Sequence, residues 1–176
     1  IKNIIFDLGG VLLNIDYNKT TTAFKNLGYT DFEKMYSMVK ANNIFDDLET
    51  GHLSESAFYD YMLESAGESI SKNEVTHAWN AMLLDFRTES LQFLTQLSQQ
   101  HKLFLLSNTN QIHKAAFEKN LKDQTGKHSL DAFFTKAYYS HQVGMRKPNE
   151  DIFRFVLEDS GIKASETLFI DDLYNN

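Results

Sequence analysis

The chain has 176 residues, 42% of them hydrophobic and 23% charged, an ordinary globular balance that excludes a disordered or collagen-like chain. It has no Cys, which excludes a disulfide framework and a thiolate metal site and fits a reducing compartment such as the cytoplasm. The formal net charge of -7 argues against a nucleic-acid partner, and apolar runs as short as Leu103-Phe104-Leu105-Leu106 leave no membrane span or signal segment to expect.

Ile4-Ile5-Phe6 ends at Asp7 and runs into Gly9-Gly10, the pattern of a buried strand entering a turn. From Asn18 to Leu84 the periodicity predicts helix throughout. Gly28 after Leu27 marks one stop, and Phe32, Met35, Tyr36 and Val39 recur at helical spacing. Ser54 reads as an N-cap, with Phe58, Tyr61 and Met62 as a stripe behind it and Gly67 as a stop. Ser71 and Glu74 have capping-box spacing, and Val75, Ala78, Trp79, Met82 and Leu83 are expected on one helix face.

After Thr88 the pattern alternates. Leu91, Leu94 and Leu97 predict a helix, Lys102–Leu106 a strand ending at Ser107, and Ile112, Ala115 and Ala116 the next helix. Thr135–Tyr139 predicts a strand and Asn149–Asp159 a helix between Pro148 and Gly161. Thr167–Ile170 predicts a last strand, ending at Asp171-Asp172. Strands separated by helices imply a parallel sheet with right-handed crossovers. The expected fold is therefore α/β: a Rossmann-like parallel-sheet core, residues 1–14 plus 86–176, with a helical cap of residues 15–85 inserted after the first strand.

Ligands of an open parallel sheet bind beyond the carboxyl ends of its strands. Those ends carry Asp7, Ser107 and Asp171-Asp172. Two carboxylates about 4 Å apart repel by roughly 4 kcal/mol at an effective dielectric near 20. Either one is protonated or a cation stands between them. All-oxygen ligands favour a hard cation, Mg²⁺ above all. The alternative from spacing alone is that Asp7 caps its own loop while Asp171 or Asp172 pairs with Lys147. The six His show no metal-ligand spacing, and Ser107 lacks the Gly-x-Ser-x-Gly context of a nucleophile elbow. His141 lies near the expected active face. Trp79 reads as cap core and Glu49-Thr50-Gly51 as a plain turn, with a hinge or a substrate loop as the alternative.

Four segments in order resemble the motifs of the haloacid dehalogenase-like (HAD) hydrolase superfamily. They are Ile4–Leu12, Leu105–Asn110, Gly144–Pro148 and Phe169–Asp172. The helical insertion has the place and size of that family's first (C1) cap type. The resemblance implies that Asp7 is a nucleophile forming an aspartyl-phosphate. It implies Mg²⁺ held by Asp7, the carbonyl of Gly9 and Asp171 or Asp172. Ser107 and the backbone amide of Asn108 would bind the phosphoryl oxygens, and Lys147 would neutralise charge. The partner is then a small phosphorylated metabolite; nothing in the pattern specifies an oligomeric state.

Most phosphatases of that superfamily carry a second Asp two residues after the nucleophile, where this chain has Gly9. Gly9 and the runs Ser107–Asn110 and Gly144–Pro148 resemble a sugar-phosphate subgroup typified by α-D-glucose-1-phosphate phosphatase. A dehalogenase or a binding relative without turnover also lacks that Asp. The dehalogenase reading would need an Arg from the cap, and Arg87 is the nearest. Asp16 is the candidate for the missing proton donor, against an alternative as an N-cap. The chain begins at Ile1 rather than Met, and the resemblance implies a further helix and short strand beyond Asn176, so a longer native product is expected.

Overall fold

Alternation along two buried strands sets the layers. In β1 (Asn3–Phe6) and β4 (Lys102–Ser107), Ile4, Phe6, Leu103 and Leu105 face one apolar cluster, while Ile5, Phe104 and Leu106 face another. A strand buried on both faces belongs inside a parallel sheet covered by helices on each side. The computed structural model, which describes residues 1–29, 43–66 and 70–174, shows that arrangement. Strands β1 and β4, with β5 (Lys136–Tyr139) and β6 (Thr167–Ile170), form a parallel sheet in the order β5-β4-β1-β6. Phe6 sits opposite both Leu105 and Ile170, so Asp7 and Asp171 leave the sheet side by side.

Helices α5 (Thr88–Leu97) and α6 (Gln111–Thr125) cover one face through Leu91, Leu94, Phe117 and Leu121. Ile112, Ala115 and Ala116 lie on α6 as expected, and its buried residues are Ile112, His113, Phe117 and Leu121. The short α7 (Ser140–Val143) follows β5, and α8 (Glu150–Ser160) covers the other face through Ile152 and Val156. Gly161 ends α8 in the left-handed conformation.

The insertion holds α1 (Tyr17–Asn26), α2 (Ile44–Glu49), α3 (Glu55–Ala66) and α4 (Lys72–Asn80) among the described residues. Their buried faces meet at Phe24, Leu48, Phe58, Met62, Val75 and Trp79. The Ser54 cap and the Ser71–Glu74 capping box both form. The expected stripe Phe32, Met35, Tyr36, Val39 and the stop at Gly67 lie outside the described residues. Among the described residues, no helix is long and apolar enough to cross a membrane.

One expectation fails. Helix does not run on to Leu84: α4 stops at Asn80, and Leu83–Phe86 is a strand, β3, antiparallel to β2 (Leu13–Ile15). Thr20 clips the change of direction, donating to the carbonyl of Trp79 (3.2 Å) and accepting from the amide of Met82 (3.1 Å). The partner of β3 is far away in sequence, so local periodicity cannot reveal it. The ribbon stands where the insertion leaves and rejoins the sheet-forming part of the chain.

Candidate active site

The turn after β1 is drawn tight by the amides of Leu12 and Leu13, which both donate to the carbonyl of Leu8, and by that of Gly10, which donates to Leu13. The Gly9 carbonyl is not used by the turn. Gly10 has φ +70, and a Cβ there would lie 2.2 Å from Oδ2 of Asp172. Only Gly lets the carboxylate of Asp172 come down on this turn. A Cβ on Gly9 would lie 3.3 Å from Cγ1 of Ile15, a tight contact that a small shift of Ile15 would relieve.

Asp7, Asp171 and Asp172 converge: one carboxylate oxygen from each lies within 4.8 Å of the others. Lys147, only 1% exposed, places Nζ 2.9 Å from Oδ1 of Asp7 and 2.5 Å from Oδ2 of Asp171. Burial pushes the Asp7 carboxyl up, opposed by Lys147 and by a hydrogen bond from the Leu8 amide. Three carboxylates against one ammonium leave negative charge uncompensated. An all-oxygen donor set with that excess suits a hard divalent cation. Both readings left open by spacing are thus present at once, because Lys147 pairs with Asp171 and the carboxylates still converge.

The chain beyond β4 supplies hydrogen-bond donors. Ser107 is buried, and its hydroxyl makes only a long 3.5 Å contact with the carbonyl of Asn108. The Asn108 side chain instead grips the Lys147 peptide, donating to its carbonyl (2.8 Å) and accepting from its amide (2.9 Å). Ser140, fully buried, accepts from the amide of Thr109 and donates to its carbonyl, both at 2.9 Å. Asn110 caps α6 by accepting from the amide of His113 at 3.0 Å, so the positive end of a long helix starts beside Ser107.

A cavity of about 540 Å³ opens here. Its floor is Asp7, Gly9, Ser107, Asn108, Lys147 and Asp172, and its other walls include Ile15, Thr21, Phe45, Glu49, Trp79, His113 and Arg146. Phe45 and His113 both stack on Trp79, with centroids 5.1 and 5.0 Å from its ring. Burial pushes His113 down to about 4, and its neutral ring bonds the Trp79 carbonyl through Nε2 at 3.2 Å. Arg146 donates to Asp46 at 2.8 Å and to Glu49 at 3.0 Å, tying α2 to the residue before Lys147.

Asp16, expected as a proton donor, instead caps α1, accepting from the amide of Asn18 at 3.0 Å, and does not line the cavity. His141 is turned to the carbonyl of Thr109 and the side chain of Gln111. Arg87 donates to Asn14 at 2.8 Å, away from the cavity, and so offers no halide cradle. Sequence reasoning gave no separate role to Arg146 or His113, and placed Glu49 only in a turn, hinge or substrate loop. The Glu49–Arg146 pair spans 97 positions and leaves no local signal.

Known proteins resemble this chain in sequence and fold. The D-ribitol-5-phosphate phosphatase of Bacteroides thetaiotaomicron is 34% identical over 176 residues, spanning 100% of this chain and 85% of that protein. A wild-type HAD family enzyme of the same organism, solved with magnesium and inorganic phosphate, matches with a TM-score of 0.90 and 36% identity, over 99% of this chain and 86% of that one. A predicted HAD-like family hydrolase of Porphyromonas gingivalis matches with a TM-score of 0.88 and 38% identity, over 100% of this chain and 84% of that one. The family model for haloacid dehalogenase-like hydrolases matches residues 1–176. With its strand-end carboxylates, its buried lysine and its parallel sheet, the chain belongs to the haloacid dehalogenase-like hydrolase family.

Proposed function

We propose that the protein is a Mg²⁺-dependent phosphatase of a small sugar or polyol phosphate, acting through an aspartyl-phosphate on Asp7. The observation that carries this reading is the convergence of Asp7, Asp171 and Asp172 beside buried Lys147, on the floor of a cavity that Ser107 and Asn108 also line. Residues 1–14 and 86–176 supply this floor, and residues 15–85 act as the cap over it. Of the three relatives named above, one is a phosphatase of a polyol phosphate and one was solved with magnesium and inorganic phosphate.

Asp7, Asp171 or Asp172 and the carbonyl of Gly9 would hold the ion. Magnesium bound there supplies the positive charge that screens an anionic nucleophile from a phosphate dianion. Lys147 holds Oδ1 of Asp7 and keeps the carboxylate ionised and oriented. The hydroxyl of Ser107 and the amide of Asn108, at the start of α6, bind phosphoryl oxygens. The Asp7 carboxylate forms a bond to phosphorus as the bond to the leaving oxygen breaks. Water then attacks phosphorus, the acyl-phosphate bond breaks, and inorganic phosphate and the Asp7 carboxylate result. Gly9 has no side chain to act as an acid, so in this reading the leaving oxygen takes its proton from water.

The test is phosphate release from a panel of sugar phosphates, polyol phosphates, nucleotides and p-nitrophenyl phosphate, with Mg²⁺ and with excess chelator. The proposal predicts turnover in Mg²⁺ with sugar or polyol phosphates preferred over nucleotides, and none in chelator. Ca²⁺ does not replace Mg²⁺, because its looser coordination lets both oxygens of Asp7 bind the ion. Full activity in chelator would contradict the proposal.

A further inference from the structure

The cavity wall facing the cap carries a carboxylate that the reaction as written does not use. Glu49, the last residue of α2, lines the same cavity as Asp7. Its Oε2 accepts from both Nε and Nη2 of Arg146, each at 3.0 Å, while Oε1 has no partner among the described residues. The turn that follows is pressed against the core. Gly51 has φ +72, and a Cβ there would lie 2.4 Å from the carbonyl oxygen of His141. Glu49 is therefore held from two sides, by an ion pair and by a backbone contact that only Gly permits.

The charges around it are lopsided. Among the described residues, the cations lining the cavity are Lys147 and Arg146. Lys147 is committed to Asp7 and Asp171, and Arg146 to Asp46 and Glu49. Asp46, outside the lining, takes a share of Arg146, so the guanidinium offsets Glu49 only in part; burial pushes the Glu49 carboxyl up and Arg146 holds it down. His113 adds no charge, since burial keeps its ring neutral.

We propose that Glu49, fixed by Arg146 through one oxygen, uses the other to accept a hydroxyl of the leaving group, and that its charge turns away leaving groups that are themselves anionic. The enzyme would then select neutral polyhydroxylated phosphates over phosphorylated carboxylic acids and bisphosphates. A hydroxyl donating to Oε1 makes a charge-assisted bond in a partly dry cavity. A carboxylate or second phosphate in its place meets like charge and no uncommitted cation among the described residues, a repulsive element of the kind that specificity needs. This inference rests on the phosphatase reading above.

The experiment compares kcat/KM on ribitol 5-phosphate, phosphoglycolate and p-nitrophenyl phosphate, in Mg²⁺, for wild type, Glu49→Gln and Glu49→Asp. In Glu49→Gln the amide carbonyl turns to Arg146 and the amide nitrogen, now a donor, faces the cavity. Turnover of ribitol 5-phosphate should fall about tenfold, mainly through KM, that of phosphoglycolate should rise, and that of p-nitrophenyl phosphate should change by less than about twofold. Glu49→Asp keeps the charge but loses reach, so it should lose ribitol 5-phosphate and still reject phosphoglycolate. An equal fall on all three substrates, or an unchanged ratio of ribitol 5-phosphate to phosphoglycolate with p-nitrophenyl phosphate turnover intact, would overturn this inference alone. No Mg²⁺-dependent release from p-nitrophenyl phosphate by the wild type would overturn it together with the phosphatase reading.

Discussion

The two sides of the cavity are built on different principles. On the floor, Asp7 and Asp171 each stand one step beyond a strand and Ser107 is the last residue of one, and the hydrogen-bonded register of β1 with β4 and β6 sets their spacing. On the cap side, Phe45, Glu49 and Trp79 stand on helices, and their positions depend on contacts with Arg146 and His113 across the cavity. A sheet edge tolerates no slippage without turning every side chain over, whereas a helix held by a few pairs can be retuned one residue at a time. Chemistry common to many substrates therefore belongs on the floor, and discrimination between them on the cap wall.

The sharpest way to break this division is to remove the nucleophile. Asp7→Asn should lower turnover by more than about 10⁴-fold on every substrate alike while the circular dichroism spectrum and the cooperative melt persist. A substrate-dependent loss would mean that Asp7 also contacts the leaving group.

Lys147 tests whether the floor is locked by charge. In Lys147→Met, Asp7 and Asp171 face each other in a buried site without their ammonium. Urea unfolding without metal should show a loss of about 3–5 kcal/mol, partly recovered in the double variant with Asp171→Asn. A loss no larger than that of an exposed lysine would show that the floor does not depend on the pair.

His113 joins the two sides, and its effect depends on pH. Its ordinary value of 6.5 is pushed down to about 4 by burial. Between these values the unfolded chain takes up a proton that the folded chain refuses. Its contribution to stability is therefore complete above about pH 6.5 and is lost as pH falls toward about 4, by about 3 kcal/mol in all. His113→Gln should flatten that part of a urea-midpoint profile against pH. An unchanged slope would assign the acid sensitivity to other groups.

The smallest effect is expected at Asp16. Losing the α1 cap in Asp16→Ala should cost about 1 kcal/mol of stability. The ratio of sugar-phosphate to p-nitrophenyl phosphate turnover should stay constant. A selective loss on the sugar phosphate would restore Asp16 as a proton donor.

The same division explains what could be read from the sequence. Ile4-Ile5-Phe6-Asp7 and Leu168-Phe169-Ile170-Asp171 carry strand and function within a few residues, so strand ends and candidate groups were both legible. Caps such as Ser71–Glu74 were legible for the same local reason. Leu83 and Leu84 read as the end of a helix because the register of β3 comes from Leu13–Ile15. Glu49 and Arg146 are ordinary surface residues until the fold brings together positions 97 apart. Asp16 had both of its possible roles visible, and the structure shows the local one, a cap on the next turn of chain.

Rapid acid quench of the wild-type enzyme during turnover of a polyol phosphate, followed by peptide mass mapping, tests the covalent step most directly. A phosphoryl group on the peptide bearing Asp7, formed in Mg²⁺ and absent in chelator, is the result this mechanism predicts. Turnover at full rate with no phosphorylated peptide, or a phosphoryl group on the peptide bearing Asp171 and Asp172, would contradict it.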